Sequence, residues 1–105
     1  MQIGEVIKML IKSRGLSQLE VAKEIGKSPT ALSQIINGVY KPQTDTLESL
    51  SKLLKVPVPV IHFLSIDEED VPAENRQLFR TLAPSMERYL IDVFNAEPED
   101  LKKAH

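Results

Sequence analysis

Hydrophobic positions recur with helical spacing from the first residues onward. Ile3, Val6, Ile7, Leu10 and Ile11 share one arc at about 100° per residue, which predicts a helix over about residues 2–14. Gly15, Gly26 and Gly38 each follow a periodic segment, where a left-handed residue ends a helix. A second helix starts with Ser17 as its N-cap. Glu20 stands three residues on and completes a capping box, and Leu16 and Val21 are placed to form a hydrophobic staple. A third helix starts with Ser28 as N-cap and Pro29 at its first position, where the missing N–H costs nothing, and runs to about Asn37. A fourth covers about Thr44–Leu54, with Leu47, Leu50 and Leu54 inward. A short fifth begins near Pro57 or Pro59 and carries Ile61 and Leu64.

The pattern breaks at Asp-Glu-Glu-Asp, residues 67–70, followed by Val71-Pro72. Adjacent carboxylates repel and proline stops regular structure, so residues 67–71 are expected to be an acidic linker after a first unit of residues 1–66. Beyond it, Pro72–Leu82 and Pro84–Asn95 read as a pair of helical segments within an extension of residues 72–105. Pro84 is either the first position of the second segment or a kink. The polar stretch Ala96–His105 is expected to fray. No segment alternates at period two without a proline, so the expected fold class is all-α, with no sheet.

Composition narrows the function. A chain of 105 residues fits one modest core, and 42% apolar with 27% charged residues is ordinary for a soluble globular protein. Without cysteine there is no disulfide and no thiolate ligand or nucleophile. The longest nearly apolar run, Val56–Ile66, is too short to span a bilayer, and Glu5 and Lys8 interrupt any secretory leader. The expected location is the cytoplasm, with no membrane partner. His62 and His105 lack a matched ligand set, and His62 is expected to pack beside the fifth helix. No glycine-rich phosphate loop or nucleophile–base motif occurs, so the chain reads as not an enzyme, with no cofactor and no metal. The net charge of −2 conceals an asymmetry. Residues 1–55 carry 8 Lys/Arg against 5 Asp/Glu, a balance of +3, whereas residues 56–105 carry 5 against 10, a balance of −5. A basic first half suits a polyanionic partner.

The stretch Gln18–Asn37, QLEVAKEIGKSPTALSQIIN, carries the sharpest signal. Lys27 alone separates Gly26 from the cap of the third helix, so the two helices must cross steeply, with a left-handed residue at the corner. Small Ala22 sits where the helices press together, and Val21, Ile25, Leu32 and Ile35 lock the pair onto a core. On the third helix, Ala31, Leu32 and Ile35 share one face. Thr30, Ser33, Gln34 and Asn37 share the other, flanked by Pro29, and uncharged hydrogen-bonding side chains of this kind suit base edges.

Residues 3–66 resemble the Cro/phage-repressor-type helix-turn-helix (XRE) family of bacterial and phage transcription regulators. The resemblance rests on IGEVIK, GLSQLEVAKEIG, SPTALSQIINGVYKP and TLESLSKLLKVPV. It implies a five-helix domain whose third helix enters the DNA major groove, and binding to double-stranded DNA as a homodimer. Lys27 and Pro29 depart from the family pattern. Lys27 stands where a small apolar residue is usual and places a cation at the mouth of the DNA-facing surface. Gln34 is expected to pair bidentately with adenine and the Thr30 methyl to touch a thymine methyl, while Ser33 donates to a base or phosphate. Gln18 resembles the family glutamine that holds the phosphate backbone. Asn37, Tyr40 and Lys41 are expected phosphate contacts, and Ser28 has a secondary DNA role because its hydroxyl is engaged in capping. No arginine lies on the third helix, so specificity per half-site is expected to be modest.

The extension of residues 72–105 is too apolar for a solvated tail and is expected to act in homodimerisation. Packing within the chain and a different partner protein are the alternatives. Val6, Met9, Ile11, Leu19, Ile36, Val60 and Phe63 are read as an apolar surplus that a partner or the extension covers. The leading functional reading is a sequence-specific transcriptional regulator, a repressor on a palindromic operator. The alternative is an antitoxin-like or other interaction module whose C-terminal helices bind a partner protein.

Overall fold

Capping chemistry decides where two of the helices begin, at Ser17 and Ser28. The structure, a computed structural model, describes residues 1–95. It is all-helical: α1 spans Ile3–Ser13, α2 Gln18–Glu24, α3 Pro29–Ile36, α4 Thr44–Leu54, α5 Val58–Leu64 and α6 Arg76–Asn95. Single 3-10 turns lie at Glu68–Asp70 and Ala73–Asn75, and no strand occurs among the described residues. The Ser17 hydroxyl accepts from the Glu20 N–H at 3.1 Å, and the Glu20 carboxylate accepts from the Ser17 N–H at 3.2 Å, which closes the expected box. Ser28 accepts from the Ala31 N–H at 3.0 Å, with Pro29 in the first turn. α1 and α2 end in left-handed glycines, Gly15 and Gly26, as the sequence predicts.

α1 to α5 enclose the core. Val6, Ile7, Leu10, Val21, Leu32, Leu50, Leu54, Val56, Ile61 and Leu64 lose essentially all contact with solvent. α1 is central, packing on α3 along one side and on α5 along another. That position corrects one expectation. Val6, Ile11 and Ile36 are core residues rather than a surface surplus, because a helix flanked on two sides buries a wider arc than a surface helix does. Leu19 remains exposed, Met9, Val60 and Phe63 are half-buried, and His62 lies exposed on α5.

The expected pair of C-terminal helices is one. α6 continues through Pro84, which withholds an N–H from the Arg80 carbonyl without ending the helix. The described part of the extension, up to Asn95, is therefore two 3-10 turns and one long helix, and the expected frayed end, Ala96–His105, lies outside the described residues. The acidic stretch is folded as well. The Asp70 carboxylate accepts from the Asp67 N–H at 2.9 Å, Arg80 pairs with Glu68 at 3.1 Å, and Asp67 accepts from the Gln2 amide at 3.1 Å. Arg76 donates to the carbonyls of both Glu68 and Val71, at 3.2 and 3.1 Å. Cations and backbone N–H groups offset the repulsion among these carboxylates.

α6 is tethered at its two ends. Arg76 and Arg80 hold the first, and at the other Leu90, Ile91 and Phe94 pack against the core. There the half-buried Arg14 guanidinium donates through Nε to the Leu54 carbonyl at 2.8 Å and through Nη2 to the Phe94 carbonyl. Between the tethers α6 stands off α5, leaving two apolar hollows of about 500 and 440 Å³.

Candidate nucleic-acid interface

The corner between α2 and α3 sets the geometry of the surface that α3 presents. Gly26 adopts φ 72°, and the Lys27 N–H donates back to the Ala22 carbonyl at 2.8 Å, so the chain leaves α2 and enters the Ser28 cap within three residues. Val21, Ala22 and Leu32 meet beneath the corner with no exposure. The far end of α3 is fixed from α1. A Cβ built on Gly4 would lie 2.5 Å from the Ile35 carbonyl oxygen and closer still to that of Ile36. Only glycine lets the first turn of α1 approach the end of α3 so closely.

With Leu32, Ile35 and Ile36 buried, α3 turns its other face to solvent. Pro29, Thr30 and Asn37 are exposed, and Ser33 and Gln34 are half-buried. The Asn37 amide donates to the Ser33 hydroxyl at 3.2 Å, which leaves the Ser33 O–H and the Asn37 carbonyl free to bond outward. The Gln34 carbonyl accepts from the Val39 N–H at 2.8 Å and the Tyr40 N–H at 3.4 Å. The loop after α3 is thereby folded back beside the Gln34 side chain, with Tyr40 61% exposed.

Lys27, Gln34, Tyr40 and Lys41, four of the expected site residues, line one shallow hollow of about 260 Å³ beside α3. Its lining holds two cations and no carboxylate, a local field that attracts an anion. Thr30 and Pro29 occupy the first turn of α3, outside that lining. Gln18 is exposed as the first residue of α2, and the Ser28 hydroxyl is engaged by the Ala31 N–H. Gln43 joins the same hollow and was not singled out from the sequence. It occupies the N-cap of α4, yet its side chain makes no capping bond. Glutamine is a poor capping residue, and that mismatch is the one sequence signal that marks it. Gly4 also went unmarked, because a glycine near a helix start carries no local cue to a neighbour distant in sequence.

No helix among the described residues is long and apolar enough to cross a membrane. No group of His, Asp or Glu side chains among them is placed to hold a metal ion. No solved structure matches the chain. It is 38% identical over 65 residues to the ImmF control region 10 kDa protein of Bacillus phage phi105, an alignment covering 62% of this chain and 72% of that protein. The helix-turn-helix family profile matches residues 7–61, from within α1 into α5. With α2 and α3 crossing at Gly26 inside that match, the chain belongs to the XRE-type helix-turn-helix family of DNA-binding transcription regulators.

Proposed function

We propose that the protein is a transcriptional repressor that binds a palindromic operator as a homodimer. The observation that carries this reading is the exposed, uncharged face of α3 beside a hollow whose only charges are Lys27 and Lys41. Similarity to a phage protein named for a control region supports a regulatory role. α3 lies in the major groove. Gln34 reads adenine through its paired donor and acceptor, and the Thr30 methyl meets a thymine methyl. Ser33 bonds to a base or a phosphate with its free O–H.

The phosphates are held around this reading face. Lys27, Lys41, Tyr40 and Asn37 contact them on the side of the hollow, and Gln43 adds an uncapped amide there. Gln18 and the N–H groups of its turn hold phosphate at the start of α2, where a helix N-terminus favours an anion. Ser28 contributes mainly by fixing α3, and Pro29 abuts the backbone at the same end. The role is binding, with no bond made or broken.

Selection of bound sequences from a random DNA pool tests the reading. The expected outcome is a two-fold symmetric motif whose half-sites lie about one helical turn apart, roughly 10 bp, or a multiple of it. Enrichment of a single unpaired half-site removes the palindrome and the homodimer. Failure to enrich any sequence removes sequence-specific regulation altogether.

A further inference from the structure

α6 carries more apolar surface than its own domain covers. Leu78, Leu82, Met86, Tyr89 and Val93 are from 47% to 67% exposed. At about 100° per residue they fall within an arc of about 80°, so they form one stripe along the helix. The stripe borders the two hollows between α5 and α6, and Phe63 and Met86 line both. With Arg14 and Arg76 holding the ends of α6, the hollows stay open along its middle.

The positions in the stripe are symmetric. Leu78 and Val93 are equidistant from a point between Ser85 and Met86, as are Leu82 and Tyr89. A two-fold axis through that point pairs Leu78 with the second copy's Val93 and Leu82 with its Tyr89, and brings the two Met86 side chains together. Each contact off the axis then occurs twice, as a two-fold interface requires. The antiparallel arrangement also opposes the two helix dipoles. At ~150–200 Å² per large side chain, the half-exposed stripe offers roughly 400–500 Å² per copy. Val60 and Phe63 on the α5 wall carry the total toward the ~800 Å² per partner of a specific interface.

We infer that α6 of one copy lies antiparallel in the α5–α6 trough of a second, with the two-fold axis beside Met86. The inference rests on the homodimer reading above and specifies its surface. Tyr89 of each copy enters the hollow lined by Leu82 and Met86 of the other, and Leu82 enters the hollow lined by Tyr89 and Met86.

The chain has no cysteine, so single-cysteine variants of the full chain report contacts cleanly. All the substituted positions are exposed, and circular dichroism verifies that helix content is kept. Under mild oxidation, Met86→Cys is expected to cross-link to itself. Leu78→Cys alone is not, because its two copies lie about 22 Å apart along the seam. Mixing Leu78→Cys with Val93→Cys is expected to restore cross-linking between them. Self-linking of Leu78→Cys as fast as Met86→Cys overturns the antiparallel register. Sedimentation separates the two levels of the claim. A dimeric mass without cross-linking at Met86→Cys overturns the seam and leaves the homodimer. A monomeric mass, free and on operator DNA, overturns both, and a complex with a different protein through the same stripe makes α6 a hetero-interaction surface instead.

Discussion

The five-helix body and α6 are built from similar residues, yet they use them in opposite ways. In α1 to α5 the apolar faces turn inward, and nine of their large side chains are fully buried, joined by Val56 from the connection between α4 and α5. No residue of α6 from Arg76 to Phe94 is fully buried. The helix contributes three partly buried side chains to the core and leaves five large apolar ones half in water. The body is also the basic part of the chain, while the acidic turn and α6 lie in the acidic half. Apolar content alone therefore does not separate a core from an exposed apolar stripe. What separates them is whether an element finds neighbours on both flanks, as α1 does, or is held only at its ends, as α6 is.

The largest test of this contrast is Gly4→Ala. The added methyl must displace backbone carbonyls at the end of α3, so the body should lose roughly 2–4 kcal/mol, measured as a lower denaturant midpoint at unchanged slope. Little loss would mean that the α1–α3 contact is loose, and the account of how α3 is positioned would fail.

Gln34→Ala acts on function while sparing the body. It should cost about 1–3 kcal/mol of discrimination and relax preference at one base pair per half-site. Thermal unfolding should match the parent, because alanine is the better helix former. Full sequence preference in the variant would pass the reading role to Thr30 or to DNA shape.

Arg14→Ala tests the tether. It removes donors from the Leu54 and Phe94 carbonyls and should cost about 1–2 kcal/mol. Hydrogen exchange should rise sharply around residues 90–94 while amides of α2 and α3 stay protected. Uniform acceleration across the chain would mean that α6 and the body open as one unit.

Lys55→Gly has the smallest expected effect and the opposite sign. Lys55 ends α4 at φ 58°, a conformation that disfavours any residue with a Cβ. Glycine there should raise stability by about 0.5–1 kcal/mol in denaturant unfolding. A loss would mean that the lysine side chain makes up for its backbone.

Features legible in the sequence were those fixed by chemistry within a few residues. Ser17 with Glu20, Ser28 with Pro29, and the left-handed glycines at 15, 26 and 38 each depend on neighbours no more than one turn away. The helix-turn-helix followed from them, as did the division of α3 into a buried and an exposed face. Features that depend on distant neighbours were not legible. Gly4 matters because of carbonyls 31 and 32 residues on, and Arg14 because of carbonyls 40 and 80 residues on. Val6 and Ile11 looked surplus because the second flank of α1 is invisible to periodicity. Pro84 reads locally as a boundary, and only the two anchored ends of α6 show why the helix runs through it.

The reach of the Arg14–Phe94 bond, 80 residues along the chain, also has a consequence in time. Contacts between near neighbours form quickly, and those that close long loops form late. The body closes shorter loops, the longest of its helix pairings being that of α1 with α5, so it acquires its shape first, and the last turn of α6 arrives on a surface already made. Until it does, α6 is an amphipathic segment with nothing to lie on, and its apolar stripe is open to whatever chain is nearest.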